Sequence, residues 1–354
     1  MSQTSSREQE AFKRVYQIQR QRQFVDLQRQ QQANQVQSQT GNTMNQNGNQ
    51  MRSQQMGQQM GRNYDDLPVQ EIGDIDIINE QEVSPEFISF LSACQNGDIS
   101  TVESIVTSQP RTPIFLHRGL VNAMRRGNVD ITRYLLQSGA PISRSDPRSI
   151  ILSSPASQQM ALFEALTEHG WNVNTPGYYG EVILPMLIQF DKGDLIDWFL
   201  AHGADPNLGV QRDNRDRMGE SETDSCQALE LAASKGTVDL VQKLLDAGAK
   251  ITNGAPLYCA AGACPPGGNP HVTVVTPTMD FDISRIPVMK LLVENGAGVN
   301  DKLQSRYVTS MYPIVNAVMA GAVERVKWLL DQGADPDLKG AYGSAKDYAS
   351  KLSN

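Results

Sequence analysis

From Ser84 onward, apolar residues recur at helical spacing in short blocks, each closed by a glycine. Ala228-Leu229-Glu230-Leu231-Ala232-Ala233-Ser234-Lys235-Gly236 runs into Val238-Asp239-Leu240-Val241-Gln242-Lys243-Leu244-Leu245, which ends at Gly248-Ala249. The same order returns at Leu184-Pro185-Met186-Leu187, then Leu195 to Leu200, then Gly203-Ala204-Asp205-Pro206-Asn207. It returns again at Tyr312-Pro313-Ile314-Val315, Gly321, Val323 to Leu330 and Gly333-Ala334-Asp335-Pro336.

This order predicts pairs of short helices. Proline suits a first helical turn, and a glycine can close the first helix in the left-handed conformation. The second helix opens with an acid at its positive end, as at Asp130, Asp194, Asp239 and Glu324. Its Leu-Leu or Phe-Leu pair faces the first helix and the next unit, and a second glycine closes it. Small residues in the first helices (Ala93, Ala123, Ala232, Ala260 and Ala317) predict close helix approach between units.

Taken together, these blocks resemble an ankyrin-repeat array, whose signature carries Thr-Pro-Leu-His-x-Ala at a period of about 33 residues. The resemblance covers roughly residues 86 to 350 and implies an all-α solenoid of about seven helix-turn-helix repeats. The chain departs from the signature at its polar positions. Thr-Pro becomes Leu184-Pro185, Ala255-Pro256 and Tyr312-Pro313, and the histidine gives way to Leu187, Tyr258 and Val315.

The expected units are Glu86–Pro110 (an N-terminal cap, with Ser84-Pro85 starting its first helix), Thr112–Ile142, Ser143–Asn174, Thr175–Asn207, Cys226–Thr252, a split sixth unit and Tyr307–Asp337. The sixth divides into Ala255–Ala261 and Ile286–Asn300, and Ala341–Leu352 supplies half of an eighth as a C-terminal cap. Two insertions interrupt the period. Residues 208–225 read as a hairpin-turn expansion rich in charge, with a solvated mobile loop as the plain reading and a binding finger as the functional one. Residues 263–285 hold the alternating stretch His271-Val272-Thr273-Val274-Val275-Thr276, which predicts a short strand or hairpin packed on the array.

Residues 1–62 differ in kind. They hold 19 Gln, with eight Lys or Arg against three acids. Such a segment cannot bury enough apolar surface to offset its chain entropy and reads as a disordered Gln/Asn-rich tail. Phe12, Val15, Tyr16 and Ile18 among Lys13, Arg14, Arg20 and Arg22 leave a short basic helix as the ordered alternative over Ala11 to Leu27. Residues 63–85 are acidic with interspersed Ile, and read as a linker or as a cap segment on the first unit. The net charge is -8, so residues 63–354 carry -13. That balance argues against a protein that coats nucleic acid.

No apolar run is long enough to span a bilayer, and the polar N-terminus gives no sign of a secretory signal. Cys94, Cys226, Cys259 and Cys264 are too few and scattered for a disulfide scaffold, which points to a reducing compartment: cytoplasmic, with nuclear as the alternative. Cys259, Cys264 and His271 lack a fourth zinc ligand, and the cysteines read as ordinary buried or loop thiols. His169 and His202 sit in last helical turns, where the negative helix end explains them. His117 has no nucleophile at a recognisable spacing, and Trp198 and Trp328 read as packing residues. No catalytic, cofactor-binding or metal-binding residue is assigned, and no cofactor is expected.

What remains is surface. The resemblance implies a non-enzymatic scaffold or adaptor that binds a protein partner on the concave face of the array, through turn tips and the exposed side of the first helices. The residues expected there are Gln95, Asn96, Asn122, Arg125, Arg126, Asp191, Lys192, Ser234, Lys235 and Asn316. Their mixed polarity suits a protein better than a phosphate backbone. The alternatives are a transcription-associated regulator working through the Gln-rich tail and, more remotely, a metal-dependent enzyme built on the split sixth unit.

Overall fold

The computed structural model describes residues 84–213, 216–270, 272–304, 310–341 and 343–352. The Gln-rich tail, its basic stretch, residues 63–83 and His271 lie outside the described residues.

The chain enters its first helix where Ser84 accepts a hydrogen bond from Phe87 N, with proline at the first helical position. Helices α1 (Pro85–Asn96) and α2 (Ile99–Ser108) form the first unit. Thr112 repeats the cap for α3 (Pro113–Arg126), followed by α4 (Val129–Gln137). The third unit pairs α5 (Asp146–Ser153) with α6 (Gln159–Glu168), and the fourth α7 (Ile183–Gln189) with α8 (Gly193–Ala201). Then come α9 (Gln227–Lys235) and α10 (Val238–Asp246), and the split unit α11 (Pro256–Ala261), α12 (Met279–Ser284) and α13 (Ile286–Glu294). The seventh unit is α14 (Pro313–Met319) and α15 (Val323–Asp331), and α16 (Ala345–Leu352) stands as a half unit after it.

The first helices pack in chain order: α1 on α3, then α5, α7, α9, α11, α14 and α16. Ala93, Ala123, Ala232, Ala260 and Ala317 are all buried at these contacts, as expected of residues that let backbones approach. Larger side chains come from both helices of a pair: Phe90 of α1 stacks on Phe115 of α3 at 4.4 Å. Phe163 of α6 meets Phe199 of α8 edge-on at 4.9 Å, and Trp198 packs on Phe199 and stacks on His202 at 3.8 Å. Fully burying a Leu or Phe contributes about 1.5–3 kcal/mol, so each unit depends on its neighbours to cover its apolar faces. The architecture is therefore an all-α, ankyrin-type repeat solenoid.

The second to seventh units each close on a glycine in the left-handed region, for example Gly203 (φ 80°) and Gly333 (φ 86°), where a Cβ would be strained, whereas the first unit ends at Gln109 in extended backbone. Three asparagines then stitch one closing turn to the next. Asn174 donates to Gly203 O (2.8 Å) and accepts from Asp205 N (2.8 Å). Asn207 does the same with Gly248 O and Lys250 N, and Asn300 with Gly333 O and Asp335 N.

Two expectations are corrected. Gly193 and Gly236 do not close their first helices in the left-handed region; in the fourth unit Asp191 does so (φ 53°), and Gly193 begins α8. The run 272–276 forms no strand among the described residues; Val272 and Val274 are 76% and 77% exposed, and only Val275 packs inward. Instead the insertion folds its second part into α12, because Pro277 ends the extended run and Thr278 caps Phe281 N ahead of Asp280 and Asp282.

Candidate interaction surface

The expected contact residues fall mostly at the C-terminal ends of first helices. Gln95 and Asn96 are exposed at the end of α1, and Gln95 donates to Asn122 Oδ1 at 2.7 Å across the unit boundary. Asn122 is half-buried and also donates to Arg118 O, so it is partly spent on structure. Arg125 and Arg126 are exposed in the last turn of α3. Asp191 is exposed and Lys192 half-buried after α7. Lys235 is exposed at the end of α9, beside a half-buried Ser234 whose hydroxyl donates to Leu231 O. Cations here are favoured by the negative ends of the helices, which accounts for their position without a ligand.

Asn316 is a correction. It is 9% exposed and cannot present itself to a partner. Its amide donates to Tyr258 O (3.0 Å) and accepts from Ser310 Oγ (3.1 Å), whose hydroxyl also meets Tyr258 Oη at 2.7 Å. It is a bracket between the sixth and seventh units. The first-helix position reads as exposed in sequence because nothing there marks Tyr258 as its partner.

The insertion after the fourth unit is docked rather than loose. Gly209 and Glu222 exchange backbone hydrogen bonds, making a short antiparallel hairpin. Its described residues bond to the turn Tyr178–Gly180: Tyr179 N donates to Arg217 O (2.8 Å), Gln211 N to Tyr179 O (2.8 Å), and Ser221 Oγ to Gly180 O (2.7 Å). Tyr179 has φ 57°, an uncommon conformation for a tyrosine, held on both sides by these bonds. The approach is so close that a Cβ on Gly180 would lie 2.6 Å from Glu220 O. Arg144 of the third unit completes the joint, its Nη1 donating to Gly177 O (3.1 Å) and Gly219 O (3.4 Å).

This docking helps frame a cavity of about 520 Å³ between the closing turns of the second and third units. Leu136, Ala140, Pro141 and Ile142 come from one turn, Trp171, Thr175 and Pro176 from the other, and Pro147 from α5. Arg144, His169 and Glu220 are its charged or titratable members. Trp171 stands where other units have Ala140, Ala204, Ala249, Ala297 and Ala334. It is 8% exposed and packs on Phe163 at 5.6 Å and Phe199 at 6.1 Å. The sequence signal for this site is the break in the Gly-Ala repeat at Gly170-Trp171, which a reading for the repeat alone passes over.

Two buried polar clusters lie elsewhere. His117 Nε2 sits 3.2 Å from Asp146 Oδ2, which also accepts from Ser143 N, so the histidine's carboxylate partner joins the second unit to the third. Arg325 of α15 is wholly buried. Its Nε donates to Asp282 of α12 (2.8 Å), and its Nη1 donates to the carbonyls of Ala260, Ala261 and Ala263 in and beyond α11.

His169 and His202 each hold a carbonyl of their own last turn through Nδ1, as the helix-end argument expects. All four cysteines are free thiols. Burial pushes Cys94 and Cys226 up to about 12 and raises Cys259 and Cys264 as well, so all four stay protonated and poorly nucleophilic at neutral pH. Among the described residues no group of three or more His, Cys, Asp or Glu is placed to hold a metal ion, and no helix is long and apolar enough to cross a membrane.

No protein-family profile matches the chain, and no curated protein matches it. Among solved structures it is similar to the human ASB11 ankyrin repeat domain, at 19% identity, covering 75% of this chain and 92% of that chain with a TM-score of 0.35.

Proposed function

We propose that the array is a non-enzymatic protein-interaction scaffold. The observation that carries this reading is the set of exposed polar side chains at the first-helix ends of four units: Gln95 and Asn96, Arg125 and Arg126, Asp191, and Lys235. Packing leaves these positions free while it commits the apolar faces of the same helices to their neighbours. The partner is a protein, since the exposed groups mix signs and donors with acceptors instead of forming the cationic stripe a phosphate backbone requires. Four free thiols, two of them deeply buried, support work in a reducing compartment, cytoplasm or nucleus.

The test is affinity capture with the wild type and with Arg125→Glu plus Arg126→Glu, both shown by circular dichroism to be folded. Partners retained by the wild type and lost by the variant support the reading. An unchanged set of partners overturns the role of this face.

A further inference from the structure

We propose that the chain's own acidic segment, residues 71–82, docks along the outer row of α3 and holds the partner-binding face until a partner displaces it. The docking stands on charge and reach. Its regulatory consequence rests on the scaffold reading.

Charge is segregated along the array. Residues 111–148 hold seven Arg, no Lys and two acids, a net of +5, inside a stretch (63–354) that carries -13 overall. Three of the seven are paired with carboxylates: Arg111 with Glu86, Arg133 with Glu168 and Arg148 with Glu181. Arg144 belongs to the closing-turn side, on the carbonyls of Gly177 and Gly219. The other three, Arg118, Arg125 and Arg126, are all on α3, which has no acid. Their spacing sets them on one side of the helix, opposite the buried Leu116, Leu120 and Ala123. Arg125 and Arg126 are exposed and make no hydrogen bond or ion pair among the described residues. The negative helix end accounts for those two but not for Arg118, in the middle of the helix. Beside this row lies an uncharged one on α1, where Ile88 is 56% exposed and Gln95 is tied to Asn122 of α3.

Sequence and reach select the occupant. Residues 71–82 hold five acids, four Ile and no Lys or Arg. In an extended segment residues two apart share a side. Asp74, Asp76, Glu80 and Glu82 then fall on one side, to meet the cations of α3, and Ile75 and Ile77 on the other, toward Ile88. The segment leads into Ser84, the cap of α1. That helix has 12 residues and is about 18 Å long, and Arg125 and Arg126 lie about one turn beyond its Gln95. About seven extended residues running back from Ser84 cover the distance, which brings Asp76 and Asp74 to these cations. A tether this short gives an effective concentration on the order of millimolar, which a separate acidic protein has to outcompete.

The experiment uses the full chain and a fluorescein-labelled peptide with the sequence of residues 69–83, read by fluorescence anisotropy. In the wild type the tethered copy blocks the face. In the chain carrying Asp74→Asn, Asp76→Asn, Glu80→Gln and Glu82→Gln the face is open, and the peptide is expected to bind about tenfold more tightly or better. Adding Arg125→Glu and Arg126→Glu to that open chain, with circular dichroism unchanged, should abolish the binding. Equal affinity for wild type and open chain, no binding by the open chain, or binding that survives the two arginine changes overturns the proposal. Equal binding of a scrambled peptide shows that the face takes acidic segments in general and overturns the assignment to residues 71–82. Protein capture reads the scaffold separately. If partners are lost in Arg125→Glu plus Arg126→Glu while the peptide binds no form of the chain, the scaffold survives and the docking falls. If the peptide behaves as expected while no partner is captured, the docking survives and the scaffold falls.

Discussion

Arg325 is a full positive charge with no exposure to water, and the way it is tolerated explains much of the sixth unit. Burial lowers its pKa and its hydrogen bond to Asp282 raises it again, while a guanidinium stays charged throughout. Asp282 also acts on the backbone. Its carboxylate accepts from Glu324 N (2.7 Å) and Arg325 N (3.3 Å), capping α15 from a different helix because the N-cap residue Ala322 has no side chain able to do so. Removing one partner of such a pair costs about 3–5 kcal/mol, whereas replacing both with apolar groups is often near neutral. Asp282→Asn is therefore expected to shift the urea unfolding midpoint strongly downward, and Arg325→Met with Asp282→Leu to recover only part of the loss, because Glu324 N and the carbonyls of Ala260, Ala261 and Ala263 lose their side-chain partners. An Asp282→Asn midpoint equal to wild type contradicts this account.

Glu86 gives a pH-dependent counterpart at the surface. Its hydrogen bonds from Arg111 hold the carboxyl below its ordinary value of 4.5. A carboxylate lowered in the folded state stabilises fully above that ordinary value, and the contribution is lost as pH falls through the lowered one. The protection of first-unit amides, taken relative to their intrinsic exchange rate at each pH, should fall in the wild type as pH drops below the ordinary value of 4.5. In Glu86→Gln that acid-dependent step should be smaller, with the neutral-pH rates already raised.

At the scale of elements, the asparagine stitches set how firmly one unit is tied to the next. Asn207 is almost wholly buried, and its amide also bridges Asp205 and Asn253. Asn207→Ala leaves Gly248 O and Lys250 N without their partner, a loss of about 1–3 kcal/mol. The expected outcome is faster hydrogen exchange in the turn 248–253, with the first unit, several neighbours away, unchanged. Uniform acceleration along the array would mean that the units do not yield separately.

The insertions show how far an element can be foreseen. The stretch around Val274 has the alternation of a strand, yet a strand needs a neighbour to pair with, and an array of helices supplies none. Thr278 and the acids after it carry the better signal, a helix start, and α12 packs on α15 and α13. The hairpin 208–225 reads as solvated because its residues are charged. Its attachment runs through backbone groups of Tyr179 and Gly180, which composition does not reveal.

Across the whole molecule, the repeat itself is legible in the sequence: unit boundaries, closing glycines and small first-helix residues all follow from local rules of helix starts, stops and packing. The contacts between units are legible only where a residue recurs. Asn174, Asn207 and Asn300 repeat, whereas the His117–Asp146 pair, Arg325 with Asp282, and Asn316 with Tyr258 are each solved once, by partners 29, 43 and 58 positions away. The cavity belongs to that second kind, since it depends on Trp171, an exception to the repeat, and on a loop returning to an earlier unit.

The order of first-helix contacts has a mechanical consequence. The first helices pack chiefly on those of the adjacent units, so tension applied at Ser84 and Leu352 passes through the units in series. Stretched in optical tweezers, the protein should lengthen in discrete steps of about 110 Å, one for each 33-residue unit drawn out at roughly 3.4 Å per residue. The step containing the split sixth unit should be visibly longer. A single rupture releasing the entire length at once would show that the units are fused into one breaking element rather than linked like a chain.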